Sequence, residues 1–273
     1  MPALKDRVAV ITGAGRGIGK RLAIAFAAEG AKVALVARTL AELHIAQMEI
    51  THSGGMSMVA PADVGDYPQV DDVIDAIRRR FGAIDILVNA AGVQGPIGPT
   101  GEVDPKAWAE VIRVNLLGVF HCCRAVLSEM VTRRSGKIIN VSGGGAAYSR
   151  PFFSGYAASK VGVVRLTETL ADEVAEHNVQ VNALAPGATY THMTDQVIEA
   201  GERAGSKAFE EAQVTRQTRG VPPDKQIALA LFLVSPRSNH ITGKFLHVND
   251  DWPKLEHATL TPEQYTLRRV TKG

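Results

Sequence analysis

Two side chains stand out for the chemistry they can do together. Tyr156 and Lys160 lie four residues apart in Tyr-Ala-Ala-Ser-Lys, so on a helix they share one face. A phenol ionises only near pH about 10 and is a poor base at neutrality. An ammonium beside it stabilises the phenolate and lowers that value. The pair can then give a proton to a carbonyl oxygen, or take one from an alcohol. This spacing is common on amphipathic helices, so its meaning comes from what surrounds it. The chain also carries Thr12-Gly13-Ala14-Gly15-Arg16-Gly17-Ile18-Gly19. Gly13 allows a tight turn, Gly17 lets the backbone approach a pyrophosphate, and Gly19 lets a helix pack closely on a strand. The unpaired N–H groups and positive dipole end of the helix that follows attract phosphate.

These residues need a frame, and the hydrophobic pattern predicts one. An apolar strand over 8–12, the glycine turn, a helix over 17–29 stopped by Gly30, and a strand over 32–37 form a βαβ unit. Further helices are expected over 40–52, 67–81, 105–134, 154–177 and 224–234. Strands are expected over 57–61, 84–89, 137–142, 179–184 and 244–248. Asp104-Pro105 supplies an N-cap and a first-turn proline to the first of the two long helices. Continuous Val/Ile/Leu strands separated by helices predict a single-domain, doubly wound parallel α/β sheet, Rossmann-like, with helices on both faces. Residues 1–250 form the dinucleotide-binding catalytic domain. Within it, 188–221 is polar and glycine-punctuated and is expected to be a mobile helical cover. Residues 251–273 form a C-terminal tail.

Composition narrows the partners. With 30 basic and 28 acidic residues among 273, the net charge of +2 gives no case for nucleic acid or an anionic membrane. No run approaches the roughly 18 apolar residues of a membrane helix. Met1 to Arg7 lacks the apolar core of a secretory leader. Cys122 and Cys123 are adjacent and point apart on a helix, so they are not expected to bridge. A reducing, cytoplasmic setting fits. The eight histidines show no His-Glu-x-x-His pattern, so no metal is expected.

The glycine spacing Gly-x-x-x-Gly-x-Gly resembles that of the short-chain dehydrogenase/reductase family. Asp63-Val64, Asn89-Ala90-Ala91-Gly92, Asn115, Tyr156 with Lys160, and Pro186-Gly187 follow in that family's order. The resemblance spans roughly residues 5–248. It implies that Asp63 and Val64 border an adenine and that Asn89 fixes the central strand. It further implies that Lys160 also binds the nicotinamide ribose, that Asn115 holds a water in a proton relay, and that the protein is a homotetramer or homodimer packed through its two long helices. Val111, Leu117, Val126, Val163 and Leu170 would serve that interface or a core. The implied cofactor-binding set is Gly13, Gly15, Arg16, Gly17, Ile18, Gly19, Arg38, Thr39, Asp63, Val64, Asn89, Ala90, Gly92, Tyr156, Lys160, Pro186, Gly187, Thr189 and Thr191.

The second strand ends Ala37-Arg38-Thr39, without the acidic residue that would hold a ribose 2′-OH. A guanidinium there suits a 2′-phosphate, and Arg16 adds charge, so NADP is favoured over NAD. Three departures from the family pattern matter. The serine that polarises the substrate carbonyl normally stands 13 residues before the tyrosine, where this chain has Gly143. Ser142, freed by Gly143-Gly144-Gly145 to swing in, is the first choice for that role. A backbone N–H and Ser154 are the others. Thr189 and Thr191 replace the usual residues after Pro186-Gly187, and their polar groups face a carboxamide. Val248-Asn249-Asp250-Asp251-Trp252 replaces a glycine-rich ending, so the tail is expected against a neighbouring subunit or the site mouth.

The expected function is an NADP-preferring oxidoreductase moving a hydride between nicotinamide and a carbonyl or alcohol, a 3-oxoacyl-type reductase being one form. Tyr156 is its acid/base, with Lys160, Asn115 and Ser142 in support. The alternatives are an NAD-dependent sugar or cyclic alcohol dehydrogenase, or a dinucleotide-binding regulatory protein that does not turn over.

Overall fold

A computed structural model describes residues 3–269. The chain alternates strand and helix from β1 (Val8–Thr12) through α1 (Gly17–Ala28), β2 (Lys32–Ala37), α2 (Leu40–His52), β3 (Met56–Pro61), α3 (Tyr67–Phe81) and β4 (Ile86–Asn89). Then come α4 (Pro105–Ile112), a π-helical turn (Arg113–Leu117), α5 (Gly118–Arg133), β5 (Gly136–Val141), α6 (Ser154–Glu173) and β6 (Val179–Ala185). The last elements are α7 (His192–Ala200), α8 (Ser206–Thr218), α9 (Pro223–Val234) and β7 (Phe245–His247).

The seven strands form one sheet in the order β3-β2-β1-β4-β5-β6-β7, every neighbouring pair parallel. Consecutive strands run outward in one direction from β1 and in the other from β4. The carboxyl ends of β1 and β4 therefore flank the point where the order reverses, which opens a crevice there. β1, β4, β5 and β6 are buried along their whole length, as strands covered on both faces must be. One face carries α1, α2 and α9, where Leu22, Phe26, Leu43, Leu229 and Phe232 pack on Ile11, Leu35 and Val88. The other carries α3, α5 and α6, where Ile74, Ile77, Val119, Val126 and Val163 meet Val10, Leu87 and Val181.

The expected helix over 105–134 is interrupted at Arg113–Leu117 by the π turn. Its N-terminus is built as read: Asp104 accepts from the Lys106 and Ala107 N–H groups, with Pro105 in the first turn. The path Pro105–Arg133 has a mean hydropathy of 1.4 over 18 residues, enough by length and composition to cross a membrane, but half of that window is buried in the domain. Short apolar runs broken by Arg113, Asn115 and His121 hid this average from a search for continuous stretches.

Residues 188–221 form α7, a 3₁₀ turn and α8, folded over the carboxyl end of the sheet. Both ends of this excursion are tied together, by Val221 N–H to Ala188 O at 2.7 Å and by an antiparallel bridge between Thr189 and Gly220. Val197, Ala204 and Ala212 of the excursion bury Phe153.

The described part of the tail, residues 251–269, packs on its own subunit. Trp252 lies on Phe232 with ring centroids 5.2 Å apart. The Phe245 N–H of β7 donates to Tyr265 O at 2.7 Å, and Lys244 Nζ to Thr261 O at 2.8 Å. Glu168 of α6, only 7% exposed, accepts from Leu267 N–H and pairs with Arg165 and Arg268. The tail thus covers its own sheet edge.

Candidate active site and dinucleotide cleft

The first half of the site is made of backbone. Arg16 caps α1 with extended dihedrals and no side-chain hydrogen bond, so the first N–H groups of the helix stay open toward the crevice. The glycines are there for space. A Cβ on Gly13 would lie 2.8 Å from Ala90 O, and one on Gly19 would lie 2.4 Å from Gly13 O. The Thr12 hydroxyl accepts from the Ala90 and Ala91 N–H groups at 3.1 Å each and fastens the end of β4 to β1. Gly13, Gly15, Arg16, Gly17, Ile18, Gly19, Arg38, Thr39, Asp63, Val64, Ala90, Gly92 and Thr191 all line one cleft of about 760 Å³. Its far wall is the start of α7, where Thr191 caps the helix and comes close to Gly17. An open helix start, a cradle that admits no Cβ and an elongated cleft fit a dinucleotide.

Charge around Asp63 and Arg38 in this cleft is uneven. Arg113 bonds both Asp63, at 2.7 Å, and Glu110, at 2.6 Å. Burial pushes the Asp63 carboxyl up, but the hydrogen bonds from Arg113 and the Gly65 N–H outweigh it and hold Asp63 below its ordinary value. Arg16 lies 3.5 Å from Glu42. Arg38 is exposed and in no ion pair among the described residues. The sequence reading missed Arg21, which lines the same cleft with Nη1 buried and unpartnered.

Asn89, expected in the cofactor set, is placed elsewhere. Its Nδ2 donates to Asn140 Oδ1 at 2.9 Å, and Asn140 donates to Thr167 at 2.9 Å, forming a buried polar ladder across β4, β5 and α6. The alternation of side chains along β4 turns Asn89 inward. It joins strands and does not line the cleft. Pro186, Gly187 and Thr189 line the neighbouring cleft beyond the crevice. The Thr189 hydroxyl is itself held by Gln226.

That neighbouring cleft, of about 500 Å³, contains Tyr156 together with Gly143, Gly144, Tyr148, Arg150 and Phe152, roofed by α7 and α8. Lys160 sits one turn on, 5% exposed, with Nζ donating to Val141 O at 3.0 Å and lying 5.7 Å from the Tyr156 ring centroid. Burial alone pulls Lys160 down to about 8. Burial also raises the Tyr156 phenol above its ordinary value. The charge that opposes this is Arg150, 5.4 Å from the ring, rather than the expected Lys160. Arg150 also stacks on Phe153 at 4.0 Å.

Asn115 lies in the π turn and is fully buried. Its Oδ1 accepts from Val93 N–H at 2.8 Å, and its Nδ2 donates to Val93 O and to Ser159 at 3.0 Å each. Both amide hydrogens are committed, so the side chain clamps the segment after β4. π turns concentrate at functional sites, and this one turns Asn115 toward that segment.

Ser142 borders the Tyr156 cleft with its hydroxyl already engaged. Its hydroxyl donates to Lys160 O at 3.2 Å and is 2% exposed. The position facing Tyr156 is Gly143, where a Cβ would lie 2.9 Å from the phenol oxygen. Ser154 accepts from Trp108 Nε1 at 3.1 Å. Ser142 lines the Tyr156 cleft, with its backbone held by its N–H to Leu184 O and its hydroxyl turned to Lys160 O. Gln94, which drew no notice in the sequence, borders both clefts.

A phosphate cradle at the crevice of a parallel sheet, with a half-buried tyrosine and a buried lysine in the adjoining cleft, defines a dinucleotide-dependent oxidoreductase. The short chain dehydrogenase family profile matches residues 7–202. A 3-oxoacyl-[acyl-carrier-protein] reductase of Thermotoga maritima is 34% identical over 248 residues, covering 90% of this chain and 97% of that one. A 2,3-dihydro-2,3-dihydroxybenzoate dehydrogenase of Bacillus subtilis is 35% identical over 245 residues, covering 88% and 93%. Among solved structures, an actinorhodin polyketide ketoreductase with NADPH superposes with a TM-score of 0.82 at 32% identity, covering 89% of this chain and 95% of that one. An NAD⁺-bound xylitol dehydrogenase gives 0.83 at 28%, covering 89% and 98%. The chain belongs to the short-chain dehydrogenase family and is an NAD(P)-dependent oxidoreductase.

Proposed function

We propose that the protein is an NADP-preferring reductase that converts a carbonyl to its alcohol, reversibly, in the cleft beneath α7 and α8. The observation that carries the reading is Tyr156 on the cleft wall with buried Lys160 one turn behind it. A bound nicotinamide supplies or accepts the hydride. Tyr156 gives its phenol proton to the substrate oxygen in reduction and takes it back in oxidation. Lys160, held by Val141 O next to Gly92, faces the ribose end of the cofactor cleft. Arg38, with no carboxylate paired to it, receives a 2′-phosphate as a bidentate partner.

The names of the relatives favour a 3-oxoacyl-type substrate, and a cyclic or sugar alcohol is the second reading. In either case the protein is a cytoplasmic homotetramer or homodimer. Leu117, Phe120 and Val161 support assembly through the long helices, because all three are large, apolar and more than 40% exposed on them. Val111, Val126, Val163 and Leu170 are buried in the subunit itself and serve its core. Titrating NADPH and NADH into the protein and following oxidation over a carbonyl panel tests the reading. Tighter NADPH binding and turnover lost in Tyr156→Phe are expected. Binding without turnover would favour a regulatory role.

A further inference from the structure

Reducing a carbonyl builds negative charge on its oxygen, and a site that does so rapidly holds that oxygen with donors fixed in advance. Tyr156 is one donor. Of the hydroxyls expected to provide a second, Ser142 donates its hydrogen to Lys160 O, and Ser154, which accepts from Trp108 Nε1, does not line the Tyr156 cleft. Gly143, which faces the phenol, has no side chain to offer.

Gln94 has what the site lacks. It is 3% exposed, and its Nε2 is buried with no hydrogen-bond partner. Buried amide hydrogens are nearly always paired, and leaving them unpaired is unfavourable. The side chain borders both the dinucleotide cleft and the cleft of Tyr156, so it stands where the two meet. Its backbone is also fixed. Val93, next to it, has its N–H and its C=O bonded to Asn115. A donor used in catalysis must be held closely in place, and this clamp fixes the backbone from which the Gln94 side chain extends.

We propose that Gln94 is the second hydrogen-bond donor to the substrate oxygen, standing in for the hydroxyl that Gly143 lacks. The inference rests on the reading that Tyr156 protonates a carbonyl. In the reduction the proton moves from the Tyr156 hydroxyl to the substrate oxygen. The Gln94 amide keeps its hydrogen and stabilises the charge that precedes the transfer. Gly143 leaves room beside the phenol, so the amide can approach the oxygen from the β4 side.

The test compares wild type, Gln94→Leu, Gly143→Ser, the double variant and Tyr156→Phe, using NADPH and the best substrate of a ketone and 3-oxoester panel. Gln94→Leu is expected to lower kcat by about 100-fold, the usual effect of removing one such donor. It should leave NADPH affinity within about twofold and raise Tm, since an unpaired buried amide gives way to an apolar isostere. Adding Gly143→Ser to Gln94→Leu should restore at least about a tenth of the lost rate, because a hydroxyl at 143 reaches the same oxygen. A kcat within about threefold of wild type in Gln94→Leu, with Tyr156→Phe inactive, overturns the proposal and leaves the reductase reading standing. Loss of NADPH affinity in place of kcat also overturns it, assigning Gln94 to the cofactor. Unchanged turnover in Tyr156→Phe, or no turnover in wild type, removes the reading and the proposal together.

Discussion

The two clefts are built by different means. The dinucleotide cleft is made chiefly of main chain: an open helix start, glycines that admit no Cβ, and one threonine joining β1 to β4. The Tyr156 cleft is made of side chains from α6, from the loop after β5 and from the excursion between β6 and α9. Backbone recognition suits a ligand shared by many enzymes, because phosphate binds N–H groups whatever the side chains. Side-chain recognition leaves the second cleft free to vary. Here the residue facing the tyrosine is Gly143.

The largest test of this contrast is Tyr156→Phe. It should cut turnover by about 1,000-fold, in the range of lost acid–base catalysis, while NADPH titration shows affinity nearly unchanged. Comparable losses in both would mean that the clefts are not separable. Gly19→Ala is its mirror. The added methyl would sit 2.4 Å from Gly13 O, so the protein should lose about 2–3 kcal/mol of stability in denaturant titration, as overpacking does, and most of its dinucleotide affinity.

Arg38→Asp sharpens the comparison within the first cleft. Removing a phosphate partner and adding a repelling charge should weaken NADPH about 30-fold, or roughly 2 kcal/mol, and leave NADH little changed. Equal weakening of both would remove Arg38 from the 2′-position. The smallest effect is Arg150→Met. Burial raises the Tyr156 value, Arg150 lowers it and Tyr148 raises it, so losing the guanidinium should raise it further. Alcohol oxidation needs phenolate and increases as pH rises through that value. Its pH profile should therefore move to higher pH in the variant, with the plateau rate retained. An unchanged profile would mean that Arg150 only stacks.

The sequence disclosed the first cleft better than the second, for a physical reason. A phosphate turn is local: its glycines, its helix start and the strand before it lie within a dozen residues, so spacing alone reports the geometry. The Tyr156–Lys160 pair is likewise local. Gln94 meets Arg150 and Tyr156 only because β4, β5 and α6 are brought together by crossovers, and no spacing records that meeting. Asn89 joins the central strands, as the resemblance implied, but the alternation of faces along β4 keeps it out of the cofactor cleft. Asn115 was found, but its work as a clamp depends on a π turn without a periodic signature. The order of elements was legible throughout, since strands covered on both faces need unbroken apolar runs.

The tail over β7 has a consequence for how copies of the chain can meet. A parallel sheet ends in a row of main-chain groups that invite another strand, and such margins nucleate unwanted polymers unless something blocks them. Tyr265 takes the hydrogen of Phe245, while Glu168 grips the stretch that follows. The chain is thus its own terminator at that margin, and growth strand by strand is closed off.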